Sequence, residues 1–210
     1  MSPSPNPTDA SPGAAVGRRA LLRTAAVAFA LLFAVVPVHV IRGEDLTLQE
    51  YTIARDRVTL SAMSILASWS AVNLVAGTTL SFTTDDPQLA AFHQMNAGWN
   101  IVNAALAVPS LLGARSRLAD PPALTLSEAI LEQNALEDTL LFNAGIDFAY
   151  IATGFYLTER ARRGEPNAAQ LEGFGWSLML QGGFLLVFDL ATYFALRDVG
   201  VSLARHAELR

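Results

Sequence analysis

The sequence predicts an all-α integral membrane four-helix bundle made of two repeated helical hairpins, preceded by an N-terminal signal peptide or signal-anchor helix. Three observations predict it. Charged residues make up only 16% of the 210-residue chain and hydrophobic ones 52%, whereas soluble domains run at about 25% charged. Four long stretches carry almost no charge. The string LTLQE at Leu46 to Glu50 returns as LTLSE at Leu124 to Glu128, 78 residues later.

In chain order, residues 1–17 are small, polar and proline-rich, a composition that stays disordered. Arg18, Arg19 and Arg23 then precede an uncharged stretch from Thr24 to Ile41. A basic flank before an apolar core is the layout of a secretory signal or signal anchor, here 18–43, and the pair Arg18-Arg19 also matches a twin-arginine export signal. No A-x-A site follows the apolar core, which leaves cleavage and retention both open.

The first hairpin spans 44–118 and the second 119–198, with a C-terminal tail at 199–210. Val58 to Thr84 holds no charged residue, and between Asp86 and Arg115 the only titratable side chain is His93. Thr139 to Thr158 is interrupted only by Asp147, and Gly173 to Leu196 only by Asp189. Such runs match or exceed the roughly 20 residues needed to cross a bilayer core. An exported soluble bundle is the alternative, but it needs polar outer faces that these runs lack. Trp99, Tyr156, Trp176 and Tyr193 sit near segment ends, where interfacial aromatic belts lie.

Thr47 with Glu50, and Thr125 with Glu128, form capping-box patterns that start two helices well before their apolar runs. The prefixes carry Glu50, Arg55, Asp56 and Arg57 in the first hairpin, and Glu128, Glu132, Glu137 and Asp138 in the second. They read as solvated helix faces, the second acidic enough to attract cations. Gly98-Trp99 recurs as Gly175-Trp176, so each hairpin reads as a copy of the other, related by an axis along the membrane normal. If the export segment sends Glu44 outward, both hairpin loops face the cytoplasm, and Arg160, Arg162 and Arg163 obey the positive-inside rule. Arg55, Arg57, Arg115 and Arg117 then lie outside, against it.

The candidate polar core consists of His93, Asn96, Asn100 and Asn103 on the second crossing, Asn143 and Asp147 on the third, and Gln181 and Asp189 on the fourth. Trp69 and Asn73 add a stripe on the first, and Tyr150 extends that on the third. Intervals of three, four and eight place each set on one helix face, and lipid cannot satisfy such groups, so the stripes are expected to turn inward and meet. Two functions fit. The stripes pack the helices through hydrogen bonds, or the two aspartates carry protons, coordinate a cation or bind a ligand. Gly173, Gly175, Gly182 and Gly183 are spaced like close-packing positions.

Other classes are disfavoured. The chain has no cysteine and all 14 basic residues are arginine. A net charge of -5 speaks against nucleic acid as a partner. No Ser-His-Asp ordering, HExxH or phosphate-binding glycine loop is present, so no enzyme, metal or cofactor is expected. The expected partners are the lipid bilayer and a second copy of the chain or another membrane protein, in the bacterial inner (cytoplasmic) membrane.

The strings FHQMNAGWNIVN, FNAGIDFAYIATGFYLTER and GFGWSLMLQGGFLLVFD resemble an uncharacterised family of bacterial multi-pass membrane proteins, a domain of unknown function. The resemblance covers roughly Leu46 to Arg197. It implies membrane residence and four crossings after a signal-like segment, and carries no activity, substrate or catalytic residue.

Overall fold

The computed structural model describes residues 46–208, and all its regular elements there are helical. The tail at 1–17 and the signal or anchor segment at 18–43 lie outside the described residues. Four helices follow one another: α1 (Leu48–Thr83), α2 (Pro87–Ala119), α3 (Leu126–Ala161) and α4 (Ala168–Glu208). All four are long and apolar enough to cross a membrane. Their broad outer faces fit lipid: Val75, Phe82, Phe142 and Phe148 all stand exposed.

Local chemistry fixes the helix starts. The Thr47 hydroxyl accepts from the Glu50 N–H while the Glu50 carboxylate accepts from the Thr47 N–H at 2.9 Å, and Thr125 and Glu128 repeat the arrangement at 2.8 Å. Asp86 caps α2 through Gln88 and Leu89, and Pro87 occupies the first turn, where its missing N–H costs nothing. The hydrogen bonds from Thr47 and Thr125 hold the Glu50 and Glu128 carboxyls below the usual carboxylate range. A depressed carboxylate contributes stability above its unfolded pKa that is lost as pH falls through the folded one. Acidification below the ordinary carboxylate range is therefore expected to fray the first turns of α1 and α3. Amide exchange at Tyr51 reads this at α1, and Thr47→Ala should exchange fast already at neutral pH; equal exchange in both proteins would contradict it.

Helix α4 is the hub. It packs on α3 most extensively, then on α2 and on α1, while α1 and α2 pair with each other. Half of its apolar window is buried, against 22% in each of the other three. Glycines permit these approaches. A Cβ on Gly77 of α1 would stand 2.9 Å from the His93 carbonyl oxygen of α2, and one on Gly173 would strike the α2 backbone at Gln88 and Phe92. Between α3 and α4, Gly154 and Gly175 face each other, and Gly182 lies against Asp147. Gly183 departs from the expectation, because a Cβ there meets nothing within 4 Å.

The apolar core falls into three clusters. One lies inside the uncharged runs, where Trp69 stacks on Phe184 at 4.0 Å with Ala62, Leu66, Ala107 and Phe188 around it. A second, Leu140, Tyr193 and Leu196, lies at the start of the α3 run. The third joins Tyr51, Ala129 and Leu203, and so packs the α1 and α3 prefixes against the end of α4. The α4 helix continues through Glu208, roughly 18 Å past Leu196 at 1.5 Å per residue, and that extension makes this end cluster possible.

Candidate functional site

Seven amide and carboxyl side chains of the uncharged runs are buried: Asn73, Asn96, Asn100, Asn103, Asp147, Gln181 and Asp189. They form two centres rather than one, and α4 belongs to both.

The amide centre ties α1, α2 and α4 together. Gln181 is 1% exposed and sits at its middle. Its Oε1 accepts from Trp69 Nε1 at 2.9 Å, and its Nε2 donates to Asn96 Oδ1 at 2.9 Å and to Asn73 Oδ1 at 3.5 Å. Asn96 Oδ1 also accepts from Ser177 Oγ at 2.7 Å. Along α2, Asn100 Nδ2 donates to the Asn96 carbonyl at 2.8 Å and Asn103 Nδ2 to Asn100 Oδ1 at 3.3 Å. Asn73 turns its own amide back to the Trp69 carbonyl. Such a network satisfies itself without water, as a low-dielectric interior demands.

The carboxyl centre lies between α3 and α4. Asp147 and Asp189 are both buried there, near enough for their carboxyl groups to feel each other. Among the described residues Asp147 Oδ2, which is buried, finds no hydrogen-bond partner, and the same holds for Trp99 Nε1 on α2. The Trp99 ring stands edge-on to Tyr150 with centroids 4.5 Å apart, and Tyr150 is one turn along from Asp147.

Two expected members stay out. His93 is half-buried, its ring edge-on to Phe92, and Asn143 is half-buried near the level of Asp189; neither enters either network. Their half-burial places both at the edge of the inward faces and not on their centre lines. Two of the four belt aromatics also turn inward: Trp99 meets Tyr150, and Tyr193 is buried with its hydroxyl accepting from Arg197 at 2.7 Å.

The prefixes correct the solvated-face expectation. Arg55 is 1% and Asp56 4% exposed, and with Arg117 and Glu132 they close a ring of four charges drawn from α1, α2 and α3. Arg55 Nη2 lies 3.2 Å from Asp56 Oδ1, Arg117 Nε 3.0 Å from Asp56 Oδ2, Arg117 Nη2 2.9 Å from Glu132 Oε2, and Arg55 Nη1 2.7 Å from the same Glu132 oxygen. The last contact is an ion pair without hydrogen-bond geometry. Burial disfavours the Arg117 charge, but Asp56 and Glu132 outweigh it and hold its proton more firmly than in a free guanidinium. Tyr51 lies beneath, its ring 5.7 Å from the Arg55 guanidinium and its hydroxyl donating to Gln133 Oε1 at 2.7 Å. Gln133 in turn donates to the Leu196 carbonyl of α4 at 2.9 Å.

Among the described residues no group of three or more His, Asp or Glu side chains could hold a metal ion. No curated protein and no solved structure matches the chain. A family model described only as a family of unknown function (DUF6992) matches residues 65–190, a stretch that holds the whole amide centre and both aspartates but begins after Arg55 and Asp56. The chain belongs to that family, DUF6992.

Proposed function

We propose that this chain is a structural or interaction protein of the bacterial inner membrane, not an enzyme, in which two duplicated hairpins are locked by an amide core. One observation carries the reading: Gln181 spends its oxygen on α1 and its nitrogen on α1 and α2, so one α4 side chain bonds both helices of the first hairpin. A conducting or substrate-binding core leaves polar groups facing a cavity, whereas here the amides face one another. The duplication draws support from the paired capping boxes and from Gly77 and Gly154, 77 residues apart, each meeting the backbone of the next helix. In this reading the signal-like segment directs the outer prefixes across the membrane and leaves the hairpin loops, with Arg160, Arg162 and Arg163, in the cytoplasm. The prefixes bury their inner faces on each other and leave Arg57, Leu131 and Asp138 outward for a second copy or another membrane protein.

Gln181→Leu tests it. The change strands the Trp69 N–H and takes the amide donor away from Asn96 Oδ1 and Asn73 Oδ1. A single interhelical bond in a membrane averages about 0.6 kcal/mol, and a buried group left unpaired costs about 1–3 kcal/mol. Thermal unfolding in mild detergent should show a loss of about 1–3 kcal/mol, with Trp69→Phe giving a smaller loss. A Gln181→Leu protein as stable as the parent would end the proposal.

A second reading, a small ion-, proton- or solute-handling protein, is favoured by the buried, unpartnered Asp147 oxygen facing the carboxyl centre. Packing alone has no use for two interacting acids in an apolar setting.

A further inference from the structure

Asp147 and Asp189 are 3% and 6% exposed, within uncharged runs of the two helices that pack most extensively on each other, and their carboxyl groups feel each other. Ionised carboxylates are acceptors only, so two brought together in such a setting are relieved by a proton held between their oxygens. The other way to stabilise the pair is a neighbouring cation, and none of the described residues supplies one. On α3 the same face offers Tyr150, and on α4 the next titratable group is Tyr193, already bonded to Arg197. From Val58 to Thr84 α1 has no charged side chain, and α2 has only His93 within its run. His93 precedes Asn96, the partner of Gln181, by three residues, and Asp189 follows Gln181 by eight. Helix rise therefore separates their levels by roughly 16 Å. A metal ion would lack a third side-chain ligand of the usual kind, since no group of three is present among the described residues.

Asp147 Oδ2 and Trp99 Nε1 are both buried, and both are without partners among the described residues. One accepts and the other donates, and Tyr150 joins their surroundings by packing on Trp99 one turn from Asp147. Buried orphan groups of opposite sense are commonly bridged by an internal water.

We propose that Asp147 and Asp189 form a hydrated proton-binding site, holding one proton between two carboxyl groups with a water joining Asp147 Oδ2 to the Trp99 indole N–H. This narrows the second reading to the proton and rests on it. Trp99 is a positioning residue, and Tyr150 orients it.

The test is infrared spectroscopy of the full chain reconstituted in phosphatidylethanolamine–phosphatidylglycerol vesicles at neutral pH. The expected result is a carboxylic-acid carbonyl band equal to one group per chain, lost in Asp147→Asn and in Asp189→Asn. Transfer to heavy water should shift the band within minutes, and Trp99→Phe should slow that shift at least severalfold. Sodium, potassium or calcium ions should leave the band unchanged. No band in the parent protein, or a band inert to heavy water for hours, overturns the proposal without any variant needing to fold. A band abolished by one of the cations also overturns it while leaving ion handling in place. A normal band in vesicles that carry neither protons nor those cations leaves the site and sinks the handling reading.

Discussion

Arg55→Met is expected to destabilise the folded chain by about 3–5 kcal/mol, the usual cost of leaving a buried charge without its partner. The guanidinium is almost wholly enclosed and contacts both Asp56 and Glu132. The ring of Arg55, Asp56, Arg117 and Glu132 is neutral, two charges against two. Removing Arg55 leaves Asp56, itself 4% exposed, with Arg117 as its only cation among the described residues. Methionine keeps an aliphatic stem but gives up the guanidinium over the Tyr51 ring along with the ion pairs, so the loss reports the charged head and not the stem. Glu132→Gln should cost much less, because the Glu132 side chain is 38% exposed and water screens its pairs. Unfolding midpoints in mild detergent measure both. The ordering is the diagnostic: if Glu132→Gln costs as much as Arg55→Met, or Arg55→Met costs nothing, the ring does not hold the outer end together. Replacing Arg55, Asp56, Arg117 and Glu132 together by apolar residues should recover much of the loss, since paired buried charges stabilise little over a well-packed apolar substitute.

That ring was invisible to the periodic reading that found the helices. Arg55, Asp56 and Arg57 follow one another, and consecutive charges at a helix start look like a solvated turn. Their partners are 61 and 77 residues away at Arg117 and Glu132. Only the antiparallel return of α2 and the start of α3 bring those ends together. Hydropathy, by contrast, is local, and the four helices and both capping boxes could be read from neighbouring residues. The same locality explains the burial of Asn96, Asn100, Asn103, Asp147, Gln181 and Asp189: spacing places side chains on one face, and the apolar residues around them assign that face to the inside. Spacing says nothing of which stripes meet. Gln181 and Asp189 share a face of α4, yet one joins the first hairpin and the other joins α3. Phe184 and Phe188, stacked 6.1 Å apart, fill the turns between them. His93 and Asn143 satisfied the spacing and missed the networks, because a face has margins that a period cannot resolve.

The widest packing surface, between α3 and α4, yields the last prediction. Gly175→Val should break the α3–α4 crossing, lowering stability by about 1–3 kcal/mol or more, the range for forcing volume into a close-packed contact. A Cβ at position 175 would stand 2.7 Å from the Gly154 carbonyl oxygen and 3.1 Å from the Thr158 nitrogen, and backbone atoms cannot step aside as a side-chain tip can. The opposed Gly154 is equally closed, with the Gly175 carbonyl oxygen 2.6 Å away. Helices held apart there must also separate at Gly182, where a Cβ would lie 2.8 Å from the Asp147 carbonyl oxygen. Gly175→Val should therefore disturb the carboxyl pair two turns away without touching either acid. Gly183→Ala supplies the contrast. Outside its own helix turn no described residue lies within 4 Å of its Cβ position, and glycine inside a helix is about 0.5–1 kcal/mol worse than alanine, so this variant should be neutral or slightly more stable. Unfolding midpoints of the two variants, side by side in the same detergent, decide the matter. Equal losses would mean that these glycines serve flexibility along α4; opposite signs would mean that α4 is a rigid hub whose missing side chains set how closely α3 can approach.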